Sequence, residues 1–122
     1  MSKNIYISLG VAIVLIVAIW GLYFFNNKAP KVNLDNFAKC LASKDVTMYG
    51  AEWCAHCKAE KARFGSSFQY VNYVECPDNV KLCTDKKIEN FPSWIIGEKI
   101  YEGEQGLENL SKLSGCELPS AK

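Results

Sequence analysis

Two cysteines separated by two residues, Cys54-Ala55-His56-Cys57, stand out in a chain of 122 residues that holds six cysteines and a single histidine. A dithiol at this spacing can close into a disulfide and reopen, and the nucleophile in that exchange is the thiolate. A helix start favours the thiolate, because unpaired backbone N–H groups and the positive end of the macrodipole face the sulfur there. An unperturbed thiol near pKa 8.5 is only about 3% ionised at pH 7, and lowering it by about three units, roughly 4 kcal/mol, makes thiolate dominant. Cys54 is therefore expected to attack, and Cys57, one turn deeper, to resolve the mixed disulfide. His56 between them can lend a hydrogen bond or positive charge to the Cys54 thiolate, which would make the disulfide a stronger oxidant.

Other uses of the pair fit less well. Zinc needs four ligands, and Cys76-x6-Cys83 lacks the second short knuckle of a zinc ribbon. Covalent haem needs C-x-x-C-H, and Lys58 stands in the required place. A purely structural Cys54–Cys57 bridge would close so short a loop that it stabilises little. No metal site and no cofactor beyond the redox-active disulfide is expected.

The elements that must position the pair follow from periodicity. Leu34, Phe37, Ala38 and Leu41 lie at helical spacing in 34–43, and Val46 to Gly50 is a β-branched and aromatic strand ending in glycine. A helix over Cys54 to Phe64 is predicted from its Ala, Lys and Glu content, ending in a left-handed cap at Gly65. Phe68 to Glu75 alternates as a second strand, Pro77 to Asn79 turns, and Val80 to Ile88 is a short helix. Ser93–Ile96 and Lys99–Glu102 flank Gly97-Glu98 as a hairpin, and Leu107, Leu110 and Leu113 mark a closing helix up to Gly115. The order α-β-α-β-α-β-β-α is that of a small α/β domain with a mixed sheet.

Phe91-Pro92 precedes the Ser93 strand. A proline there is ordinarily a trans turn, but downstream of a helix-opening CxxC the cis form is expected, with an exposed edge where a partner peptide could dock. Trp53 and Trp94 could flank the site, although buried core tryptophans would look the same. Lys58, Lys61 and Arg63 read as a solvated helix face, with Lys58 in reach of the thiolate, and Lys86-Lys87 and Glu102–Glu104 as surface charge. Cys76 and Cys83 enclose a loop that allows a structural disulfide, with free thiols or a second redox pair as alternatives. Cys40 and Cys116 could pair by elimination, but four cysteines outside the motif allow three connectivities.

Ile5 to Phe25 contains no charged residue and, at about 1.5 Å per residue in a helix, is long enough to cross a hydrocarbon core of roughly 30 Å. It is expected to be a transmembrane anchor, with Met1 to Asn4 as a short tail, 26–33 as a stalk and 34–122 as the folded domain. A signal peptide is the main competitor, but its apolar core is usually shorter and followed by a small-residue site. Lys3 on one side and Lys28 and Lys31 on the other leave the positive-inside rule near a tie. Six cysteines then favour an oxidising compartment, placing the domain on the extracytoplasmic, periplasmic side of the cell membrane. Eleven basic and thirteen acidic residues from Asn33 onward leave no basic footprint for nucleic acid.

The segments MYGAEWCAHCKAEKARFG, YVEC, LC and IENFPSWIIGEKIYEGEQGLENLSKLSG resemble the thioredoxin-like superfamily over about Asp45 to Gly115, and most closely the domain associated with bacterial and archaeal vitamin K epoxide reductase homologues. That resemblance implies a thioredoxin-like fold, Cys54 and Cys57 as the redox pair, and a cis peptide at Phe91-Pro92 with Trp53 and Trp94 beside it. It further implies protein thiols and disulfides as substrates, and a separate quinone-linked membrane protein, vitamin K epoxide reductase-like or DsbB-like, as recycling partner. Two features depart from the family pattern. Met48 occupies the place of a buried carboxylate, leaving Glu52 or Glu60 to serve Cys57 as proton acceptor, and Cys40 and Cys116 are additions. The expected function is a membrane-anchored thiol–disulfide oxidoreductase, net oxidising, with a reductase or isomerase of the same fold and a metal- or haem-handling binding module as competitors.

Overall fold

A computed structural model describes residues 2–26 and 32–120, in two separate units, a lone helix and a compact domain. Most of the anticipated stalk, 27–31, lies outside the described residues. Helix α1 (Ser2–Asn26) extends the apolar segment by a few residues at its N-terminal end and buries none of its side chains. Its 25 residues are long and apolar enough to cross a bilayer.

In the domain, α2 (Asp35–Ser43) leads to β1 (Thr47–Gly50), α3 (Ala55–Phe64), β2 (Asn72–Glu75), α4 (Val80–Asp85), the hairpin β3 (Ser93–Ile96) and β4 (Lys99–Glu102), and α5 (Gly106–Ser114). The sheet order is β2-β1-β3-β4, with β1 parallel to β2 and the other neighbours antiparallel. This is the mixed α/β, thioredoxin-like architecture expected from the sequence. Gly97, at φ 62°, takes the first position of the two-residue hairpin turn, which a side-chain-bearing residue enters only at a cost.

Strand pleating divides the core between the two faces of the sheet. Met48 pairs with Tyr73 on one side and Trp94 on the other, and this row packs with Phe37, Leu41, Phe64 and Leu110 from α2, α3 and α5. The opposite face carries Tyr49, Val74 and Ile95 against the Cys76–Cys83 bridge, which ties the end of β2 to α4.

Several local expectations are corrected. Phe68 belongs to a 3-10 segment, Gly65–Tyr70, and β2 starts only at Asn72. The Phe68 ring packs edge-on against both Phe64 and Tyr73, contacts that a strand running outward from residue 68 would forgo. Gly65 has positive φ but ψ of −135°, so it passes the chain into that 3-10 segment instead of closing a left-handed cap. Helix α4 ends at Asp85, because Lys87 turns to φ 58° and the N–H of Ile88 returns to the carbonyl of Cys83. Pro92 does not open an edge strand: β3 is interior, and the sheet edges are β2 and β4.

Candidate active site

The connection from β1 to α3 carries the CxxC pair. Cys54 is not the first helical residue but the N-cap of α3, with extended φ/ψ of −77° and 117°. Its Sγ accepts the backbone N–H of Cys57 at 3.2 Å, so the sulfur takes the place that a Ser or Asp oxygen fills at other helix starts. Cys54 and Cys57 are unbonded, and Cys54, 7% exposed, is the more accessible, since Cys57 is fully enclosed. Burial, reinforced by the hydrogen bond with Cys54, pushes the Cys57 thiol up to about 12.

Gly50 explains how Cys57 can sit so close to the sheet. A Cβ at Gly50 would lie 2.8 Å from Cys57 Sγ and 3.4 Å from the Tyr73 ring, so the last residue of β1 must lack a side chain. Tyr73 donates its hydroxyl to Glu75 at 2.5 Å, and Glu75 also accepts the N–H of Glu52 at 2.8 Å. Burial opposes ionisation of Glu75, but the Tyr73 hydroxyl and the Glu52 N–H outweigh it and hold the carboxyl below its usual range. The Tyr73 hydroxyl itself is raised, by burial and by Glu75. Lys61 sits 3.6 Å from the centre of the Tyr73 ring and is the cation that works to lower Cys57.

The strand register brings the second motif alongside. Tyr49 faces Ser93, so the end of β1 that leads to Cys54 lies next to the start of β3 and to Pro92. The Phe91-Pro92 peptide is cis and Pro92 is buried. Trp53, 72% exposed, meets Phe91 edge-on with ring centroids 6.0 Å apart, giving the site an aromatic rim. Trp94 does not join that rim. Its side chain points into the core, fully buried against Phe64, and cannot touch a docked peptide.

His56 is exposed, and its Nδ1 lies 2.7 Å from Glu104 Oε1, whereas the hydrogen bond to the Cys54 sulfur comes from the Cys57 N–H. Arg63 donates to the other Glu104 oxygen at 2.9 Å and approaches buried Glu60 at 3.3 Å. The Arg63 hydrogen bond, with that of His56, keeps the Glu104 carboxyl below its usual range. Arg63 and Glu104, read as surface charge from sequence, thus form part of a network that no local pattern could reveal, since 41 residues separate them. Neither acid expected to serve Cys57 reaches it: the Glu60 carboxylate is committed to backbone N–H groups of Gln105 and Gly106, and Glu52 is exposed.

The remaining four cysteines form two bridges, Cys76–Cys83 and Cys40–Cys116, with Cα separations of 5.8 Å and 5.9 Å. The first staples the thin α4 face, and the second ties α2 to the chain beyond α5.

The fold and an unbonded CxxC at a helix cap define a thioredoxin-like domain. No protein-family model matches the chain. It is similar to the thiol-disulfide oxidoreductase LTO1 of Arabidopsis thaliana, 43% identical over 93 residues, covering 69% of this chain and 25% of that protein. Two proteins named as protein disulfide-isomerases are more distant: one of Dictyostelium discoideum at 23% identity, over 89% of this chain and 32% of its own length, and one of Schizosaccharomyces pombe at 26%, over 84% and 24%. These homologues support the thioredoxin-like superfamily, and the chain spans about a quarter to a third of the length of each.

Proposed function

We propose that this chain is a membrane-anchored thiol–disulfide oxidoreductase that exchanges disulfides with extracytoplasmic protein thiols through Cys54 and Cys57. The observation that carries the reading is the asymmetry of the pair. Cys54 caps α3 and keeps a small exposed area, and Cys57 is fully enclosed, with its thiol pushed up to about 12. A substrate thiolate attacks Cys54 Sγ of the disulfide, and the Cys57 sulfur leaves and takes a proton, which its high pKa favours. A second substrate thiolate then attacks the first substrate sulfur in the mixed disulfide, forming the substrate disulfide and releasing Cys54 as thiolate. Two electrons pass from the substrate dithiol to the enzyme disulfide, leaving Cys54 and Cys57 as a dithiol from which a partner must remove them.

The exposed edge of Trp53 and the cis Phe91-Pro92 segment offer the surface on which such a peptide would lie. The apolar length of α1 supports anchoring, with the domain on the periplasmic side, and confinement at the bilayer favours a membrane-embedded recycling partner. A quinone-linked protein, vitamin K epoxide reductase-like or DsbB-like, meets that requirement. The Ala-His dipeptide supports net oxidation. A reductase or isomerase is the second reading, favoured by the isomerase names of two relatives and by the carboxylate that occupies His56.

The test is trapping. Cys57→Ser in the full chain should accumulate mixed disulfides through Cys54, including one with a membrane protein, and Cys54→Ser should form none. A potential well above about −200 mV supports the oxidase, and one near −270 mV the reductase. A Cys57→Ser chain that captures only soluble proteins counts against the membrane partner. An N-terminus found beyond residue 26 in the mature protein would replace the anchor with a cleaved leader.

A further inference from the structure

His56 and Glu104 lie 48 residues apart in the chain, yet the imidazole Nδ1 and Glu104 Oε1 are 2.7 Å from each other. Glu104 is held there from two directions. Its other oxygen takes the Arg63 guanidinium at 2.9 Å, and Arg63 is in turn 3.3 Å from the buried carboxylate of Glu60. Glu60 accepts the backbone N–H groups of Gln105 and Gly106, each at 3.0 Å, so it grips the loop that carries Glu104. Gly103 of the same loop donates its N–H to the Pro92 carbonyl at 2.7 Å. Glu104 is thus placed by the frame of the domain, although its own side chain is partly exposed.

This placement bears on the sulfur chemistry. The Cys54 sulfur accepts a hydrogen bond from the Cys57 N–H, whereas the hydrogen bond of His56 goes to Glu104. An imidazolium bonded to a carboxylate brings its counter-charge along, so the field of the pair at Cys54 is weaker than that of a free cation. We propose that Glu104 is a positioning residue for His56, holding the imidazole on the loop between β4 and α5 and away from Cys54, and so keeping the Cys54–Cys57 disulfide a weaker oxidant than its Ala-His dipeptide would otherwise make it. Freed of Glu104, His56 turns to the Cys54 thiolate, the reduced form gains, and the reduction potential rises. The inference rests on Cys54–Cys57 being the redox pair and deepens that reading by naming what sets its potential.

The experiment is a double-mutant cycle on the full chain in detergent, equilibrated in glutathione buffers, with the fraction of reduced pair as readout. Glu104→Gln should shift the equilibrium constant two- to fivefold toward the reduced enzyme, about the range of an exposed pair, or roughly 10 to 20 mV at 29.6 mV per tenfold. In a His56→Ala background the same substitution should leave the potential in place. An unchanged or lowered potential in Glu104→Gln overturns the proposal. An equal rise with and without His56 also overturns it, because the carboxylate would then act by its own charge alone. Glu104→Ala repeats the cycle if the glutamine variant folds poorly. A wild-type chain that never equilibrates with glutathione removes the redox-pair reading itself, and this inference with it.

Discussion

The carboxylate of Glu60, in the middle of the CxxC helix, accepts the backbone N–H of Gly106, the first residue of α5, at 3.0 Å. Glu60 is fully buried, and it also takes the N–H of Gln105. A helix start leaves its first N–H groups unpaired and carries partial positive charge, and Glu60 answers both from another element. Glu60→Ala would orphan these donors in a closed site and should destabilise the domain by about 2–4 kcal/mol. Glu60→Gln keeps one acceptor oxygen and should lose less. Urea unfolding of the two variants beside the wild type measures both.

Gly50 is the second point where the site tolerates no change. Gly50→Ala puts a methyl group 2.8 Å from Cys57 Sγ, and the short, buried cysteine side chain has nowhere flexible to retreat. The expected outcome is a loss of about 1–3 kcal/mol by overpacking. It should bring a slower resolving step, because Cys57 is pushed from its place behind Cys54. Single-turnover release of a trapped mixed disulfide separates this from a loss of stability alone.

The two structural bridges should differ in weight. Cys40–Cys116 spans 76 residues and Cys76–Cys83 only seven. Loop-closure entropy then assigns roughly 4.5 kcal/mol to the first and about 2.5 kcal/mol to the second. Cys116→Ser combined with Cys40→Ser should lower the urea midpoint more than the Cys76→Ser, Cys83→Ser pair. Equilibration of Cys54–Cys57 with glutathione should survive in both.

Alkaline pH should separate the reduced from the oxidised protein. The Cys57 thiol stands at about 12 in the folded domain against an ordinary value of 9.0, so the native state keeps its proton where the unfolded chain has lost it. Stability from this group is complete below about pH 9 and is lost as pH rises toward about 12. The oxidised protein has no such thiol. Tyr49, raised by burial alone, acts alike in both forms and cancels in the comparison, whereas Tyr73, raised by burial and Glu75 and further by the two cysteines, loses that last part in the oxidised protein and so adds to the same difference. Denaturant midpoints of the two forms across pH 8–11 should therefore show the reduced protein falling faster. Parallel curves would assign Cys57 an ordinary ionisation.

Much of this domain is local in origin and therefore legible in the chain. Strand alternation, an Ala- and Lys-rich helix directly after a CxxC and a Gly-Glu turn between two short strands are properties of neighbouring residues. They place β1, α3 and the hairpin within a residue or so. The uncharged run from Ile5 to Phe25 needs no tertiary information to be read as a helix long enough for a bilayer.

What the tertiary structure decided are the contacts between distant residues. Phe68 alternates like a strand residue, but the Phe64 and Tyr73 rings draw it into a 3-10 segment. Trp94 resembles Trp53 in sequence and parts from it only because the pleat of β3 turns it under Phe64. Four cysteines allow three connectivities, and the chain path selects one. Glu60 and Arg63 are three apart on α3, but the contacts of His56 and Arg63 with Glu104 carry no spacing signal, because only the folded domain brings the β4–α5 loop to α3. Periodicity records what each residue needs from its neighbours in the chain, whereas charge partners 40 to 50 residues away are assigned by the fold alone.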